Sequence, residues 1–159
     1  MTQLANANAN VVVEQLRAWN AKSVIDIIEF RGEVTMVIPR ELLRAVAQQC
    51  KENPSLKFNL LSDITCVDRF PIEPRFELNY QLVSMERSVR LGLRCSVSAQ
   101  QPIVDSMCPV WPGANWLERE VFDLFGIRFE GHPDLRRILL PEEFEGAPLR
   151  RDFPTEGKR

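Results

Sequence analysis

The residues able to do chemistry gather in the last third of the chain. Glu118, Arg119, Glu120 and Asp123 fall in one run, ANWLEREVFDLFG, and the single histidine, His132, follows in Gly131-His132-Pro133-Asp134. At about 100° per residue, Ala114, Leu117, Val121, Leu124 and Phe125 share one helical arc. Trp116, Arg119, Glu120 and Asp123 share the opposite arc. Glu118 and Glu120 lie on nearly opposite sides of such a helix and cannot work as a carboxylate pair on one substrate. Glu120 and Asp123 are neighbours on one face, but Arg119 is placed to pair with Asp123. The expected use is therefore an ion-pair lattice, with Arg136 and Arg137 downstream as bidentate partners. Trp116 among these charges is either an interface anchor or a ring covered by the chain's own tail.

Other chemistries find little support. His132 beside Asp134 suggests a triad, but Ser106 lies near no motif and there is no G-x-S-x-G. Gly131 and Pro133 make the segment a turn, in which a backbone-bonded histidine is expected. Cys50, Cys66, Cys95 and Cys108 are widely spaced, with no C-x-x-C, and one histidine forms no H-x-x-x-H pair. A cluster of all the cysteines from distant positions is the remaining metal alternative. Cys66 and Cys95 fit better as small hydrophobes on strand faces. No glycine-rich phosphate loop is present. No catalytic, cofactor-binding or metal-ligating residue is expected.

Composition sets the frame for these residues. The chain has 159 residues, 45% hydrophobic and 26% charged, with a net charge of -2. That suits one soluble domain and argues against nucleic acid as a partner, since counterion release needs a basic face. No apolar run approaches the roughly 18 residues of a membrane span, and MTQLANANAN has no secretory signature.

The elements expected to position the site are as follows. Residues 1–10 read as a loose tail. Asn10 caps a helix carrying Val12, Leu16 and Trp19. Ser23–Phe30 and Glu33–Ile38 are strands about a short turn. Pro39 opens a second helix with Leu43, Val46, Ala47 and Cys50 on one stripe, ended by Asn53-Pro54. Phe58–Asp68 is a strand. Phe76, Leu78, Tyr80 and Leu82, then Val89, Leu91, Leu93, Cys95 and Val97, alternate with polar residues as an antiparallel hairpin covered on one face. This predicts an α+β fold, a mostly antiparallel sheet covered by helices on one face, over 11–111. Residues 112–159 follow as a helix closed by Gly126 and an extended, proline-spaced tail that cannot build its own core.

Set in order, Glu118-Arg119-Glu120, Asp123, Gly126-Ile127, Gly131-His132-Pro133-Asp134-Leu135-Arg136-Arg137 and Pro148-Leu149-Arg150-Arg151-Asp152-Phe153-Pro154 resemble the 30-kDa subunit family of respiratory complex I. The match is close over about 112–154 and looser before it. Phe122 replaces a common tyrosine, Ala147 a commonly larger residue, and the chain stops soon after the last motif, unlike forms fused to the large quinone-site subunit. The resemblance implies a scaffold without a redox centre, in the peripheral arm on the cytoplasmic side of the inner membrane. FMN and iron–sulfur clusters would lie in partner subunits, and NADH and quinone would be met only through the whole proton-translocating complex. The implied chief partner is the large quinone-site subunit. A related membrane-bound hydrogenase or other quinone reductase is the alternative; a free-standing hydrolase using Glu120, Asp123 and His132 is the third reading. Trp116, Glu118, Arg119, Glu120, Asp123, His132, Asp134, Arg136, Arg137, Arg150, Arg151 and Asp152 become candidate interface or structural residues. Glu120 and Asp123 are expected to pair with arginines, either Arg136 and Arg137 of this chain or those of the large neighbour, exposed in the free chain and desolvated on assembly.

Overall fold

The two cleanly alternating segments form the centre of the sheet. In the computed structural model, which describes residues 2–154 and Glu156, with side chains from Val11 onward, Phe76–Ser84 (β4) pairs antiparallel with Val89–Val97 (β5). Leu60–Asp68 (β3) lies antiparallel on the other side of β4, with a bulge between Leu61 and Asp63. Glu33–Val37 (β2) runs parallel to β5, and Asp26–Phe30 (β1) pairs antiparallel with β2 at the edge. The order is β1-β2-β5-β4-β3. The sheet is thus mostly antiparallel, as expected, with a parallel junction that periodicity does not reveal. At that junction a Cβ on Gly92 would come 2.5 Å from Thr35 Oγ1, so glycine permits the close approach.

One face of the sheet is the core. Phe76, Leu78, Tyr80, Leu82, Leu91, Leu93, Cys95 and Val97 are buried there. Val12, Val13 and Leu16 of Thr2–Trp19 (α1) and Leu43, Val46, Ala47 and Cys50 of Leu43–Glu52 (α2) belong to the same buried cluster. Each large side chain so buried contributes about 1.5–3 kcal/mol. On the outer face Arg94 and Arg69 pair with Glu77.

Helix α1 starts at Thr2 rather than near Asn10, so Asn10 is not its cap. No Pro or Gly interrupts Thr2–Asn10, and its alanines favour continuation of the helix. Phe58 precedes β3 instead of opening it, yet is fully buried.

Ile103–Asp105 (β6) and Arg128–Glu130 (β7) form a parallel pair that was not expected. The helix Ala114–Phe125 (α3) connects them and packs on β3. Gly126, at φ 70°, closes α3 in the left-handed region, the anticipated stop. After β7 the tail, residues 131–154, runs without helix or strand.

Candidate interaction and tail-anchoring site

Helix α3 is enclosed from two sides. Val121 and Ala114 meet the core, while Arg119 and Asp123, on the arc expected to be polar, are also buried. Leu117, Leu124 and Phe125, expected in the core stripe, are only half-buried. The returning tail covers Arg119 and Asp123, which accounts for their burial.

Asp123 is the centre of that contact. It is 1% exposed, and its Oδ2 accepts from the N–H groups of Ile138 (3.0 Å), Leu139 (2.7 Å) and Leu140 (2.9 Å). Arg137 donates to Asp123 Oδ1 and also to the carbonyls of Phe144 (2.7 Å) and Gly146 (3.1 Å). Burial alone would push the Asp123 carboxyl up. The tail amides and the Arg137 guanidinium outweigh it and hold the group below the usual carboxylate range.

This overturns two expectations, the Arg119–Asp123 pair and the exposure of the Asp123 pair in the free chain, and decides between the two readings of Trp116. Arg119 does not pair with Asp123; its guanidinium donates to the carbonyls of Arg136 (3.1 Å) and Arg137 (3.2 Å) and stacks over Trp116 at 5.2 Å. A helical side chain leans toward the N-terminus, which carries Arg119 toward Trp116 and leaves Asp123 to the tail. Glu120 is exposed and makes no ion pair among the described residues. Trp116 is not beneath the tail: it is 61% exposed. The Asp123–Arg137 pair is already desolvated in the free chain, whereas Arg136–Asp134 (2.9 Å) stays in solvent.

Glu118 lies on the other side of α3, wholly buried. Ser106 Oγ donates to its Oε2 at 2.6 Å, the Met107 N–H donates to Oε1, and the Cys108 thiol lies 3.5 Å from Oε2. Burial pushes the Glu118 carboxyl up to about 7, against the pull of these donors, and no Arg or Lys pairs with it among the described residues. His132 Nε2 is 4.0 Å away. Cys108, Glu118 and His132 thus bring three potential ligand atoms within 4.8 Å of one another, a grouping the sequence reading missed. The histidine's hydrogen bonds argue against a metal there. Its Nδ1 accepts from the Asp134 N–H (3.0 Å), so the ring proton is on Nε2, facing the Asn115 carbonyl (3.2 Å). A metal on Nε2 would place a proton on Nδ1, against that same N–H. The cluster is suited to holding protons and backbone, and His132 is the turn-bonded residue expected. Desolvation also raises the Cys108 pKa, which disfavours a nucleophilic thiolate.

A third knot ties the end of the tail, with the candidates Arg150, Arg151 and Asp152, to Asp68 and Arg75 of the sheet side, which the sequence reading did not single out. Arg75, 7% exposed, donates to both oxygens of Asp68 (2.8 and 2.7 Å) and to Asp152 Oδ2 (2.9 Å). The Arg151 N–H also reaches Asp68, at 2.8 Å. The Arg75 guanidinium holds the Asp68 carboxyl far below its ordinary range. Arg150 donates to the Phe125 carbonyl at 2.6 Å, satisfying the C-terminus of α3, and stacks on Phe76. A sign was available: Asp68 falls in phase with Ile64 and Cys66, an acid on an apolar strand face.

The candidate hydrolase residues are therefore not assembled: Asp123 is enclosed by the tail, Glu120 faces solvent, and His132 bonds to backbone.

Residues 36–159 match the family model described as respiratory-chain NADH dehydrogenase, 30 Kd subunit. The chain belongs to that family. It is 41% identical over 157 residues to the C-type subunit of NADH-quinone oxidoreductase from Geotalea uraniireducens, covering 99% of this chain and 93% of the relative. The same-named protein of Roseiflexus sp. is 44% identical over 143 residues, 90% of this chain and 82% of the relative. Among solved structures, the trypsin-resistant fragment of Nqo5 superposes with a TM-score of 0.70 at 35% identity, over 80% of this chain and 99% of the fragment. A chain of an archaeal membrane-bound sulfane sulfur reductase shares the fold, with a TM-score of 0.77 at 24% identity, covering 92% of this chain and 86% of that one.

Proposed function

We propose that this chain is a scaffold subunit in the peripheral arm of a proton-translocating NADH-quinone oxidoreductase. It takes part in catalysis only within the complex. The observation that carries this reading is how its charged motif is used. Asp123, Arg137, Arg119, Arg150, Asp68 and Arg75 bind the tail to α3 and the sheet instead of converging on a reacting centre. No helix among the described residues is long and apolar enough to cross a membrane.

On this reading FMN and iron–sulfur clusters belong to partner subunits, and NADH and quinone are reached only through them. The chief partner is the large quinone-site subunit, on the cytoplasmic side of the inner membrane. The fold shared with the sulfane sulfur reductase chain keeps a second reading in play, the same scaffold role in a related membrane complex.

Affinity recovery of the tagged chain from native membranes, followed by mass spectrometry, tests both. Co-recovery with a flavin-bearing NADH module supports the first reading, and a quinone-site partner without that module supports the second. Recovery only as a free monomer overturns both.

A further inference from the structure

Most motif arginines are occupied within the chain. Arg137 is held by Asp123 and tail carbonyls, Arg119 by carbonyls and an indole, and Arg150 by the end of α3. What remains outward on α3 is Trp116 and, one turn on, Glu120. The tail extends that surface. The Leu139 N–H is 2.7 Å from Asp123 Oδ2, one turn beyond Glu120, and the Leu139 side chain is 59% exposed. The next turn is closed by the Phe144 N–H on the Pro141 carbonyl and fastened to Asp123 through Arg137, and it presents Glu142 and Glu143 to solvent. None of Glu120, Glu142 and Glu143 makes an ion pair with the described residues.

We infer that this stripe, Trp116, Glu120, Leu139, Glu142 and Glu143, is a docking surface for a basic segment of a neighbouring subunit. The inference rests on the scaffold reading above. Two exposed apolar side chains supply area that is costly to leave in water. Arg119 covers one side of the indole and holds it in place, leaving the rest of the ring for contact. The carboxylates set the sign of the occupant. They complement lysine or arginine, and would repel an acidic segment or an anionic lipid surface. A second copy of this chain would bring the same acids against themselves.

The test replaces the chromosomal copy with wild type, E120K/E142K/E143K or Trp116→Ala and measures the chain retained in the purified complex. The three glutamates are exposed and unpaired, so the free triple variant should melt as wild type does, and Trp116→Ala should lose only its solvent-edge contact with Arg119. Retention of the triple variant should fall by about tenfold or more, with dissociation at lower salt, and Trp116→Ala should also be depleted. A photo-cross-linking residue at position 139 should capture a Lys- or Arg-rich peptide of another subunit. Normal retention with unchanged salt release, or capture of an acidic peptide, lipid or a second copy, overturns the docking surface while leaving the scaffold reading intact. Absence of the wild-type chain from any complex overturns both.

Discussion

Asp123 and Glu118 are buried carboxylates on one helix with opposite acid–base behaviour, because their surroundings differ. Asp123 accepts three amide hydrogens and a guanidinium, whereas Glu118 meets only neutral donors. Removing the Asp123 carboxylate orphans those amides and leaves Arg137 largely buried. Asp123→Ala should therefore cost about 3–5 kcal/mol in urea unfolding of the free chain. The exposed pair offers the contrast, since Asp134→Ala should cost only about 0–1 kcal/mol. Arg137→Ala should likewise lower the melting temperature of the free chain, because its partner is enclosed without any neighbouring subunit. Glu118 gives a pH signature. Its carboxyl stays protonated in the fold up to about 7, against an ordinary value of 4.5, so between those values the unfolded chain binds fewer protons and stability falls as pH rises. Glu118→Gln, measured by urea unfolding across that window, should flatten the decline.

At the scale of elements, α3 depends on how it ends. Gly126 has φ 70°, and a Cβ there would lie 2.8 Å from Arg150 Nη2, the guanidinium that caps the helix. Gly126→Ala should cost about 1–2 kcal/mol from the backbone alone, and displaced Arg150 should raise hydrogen exchange in residues 147–153. Gly113, at the other end, has an ordinary helical φ of -63° and no neighbour within 4 Å of a Cβ. Gly113→Ala should be neutral or slightly stabilising. Equal losses at both ends would show that general helix propensity, rather than the capping geometry, governs the effect.

The whole molecule is a sheet-and-helix core with a tail fastened by three aspartates, Asp68, Asp123 and Asp152, all held below the ordinary carboxylate range. Their stabilisation is complete above the unfolded value near 3.8 and is lost as pH falls through the lower folded values. Opposed by Glu118, this should place the stability maximum of the free chain in mildly acidic solution. It should also make the tail the first segment cut by pepsin on further acidification, while the hydrogen-bonded strands stay protected. Simultaneous cleavage of tail and strands would show that the tail is no separate unit.

Local periodicity was enough to determine the hairpin of Phe76–Ser84 and Val89–Val97, the α2 stripe, the span of α3 and its stop at Gly126. Those features depend on residues a few positions apart, and an alternation or a left-handed glycine reads the same in any fold. Which charges meet was decided only by tertiary structure. Asp68 and the Arg151 N–H are 83 residues apart, and no spacing rule links them. The wheel placed Arg119, Asp123, Trp116 and Glu120 on one arc, yet the path of the returning chain buried the first two and left the others in solvent. The parallel joins β2–β5 and β6–β7, and the burial of Glu118 against the loop at Ser106, likewise depend on segments brought together from a distance. A side chain's face is a local property, whereas its partner and its desolvation belong to the packed molecule.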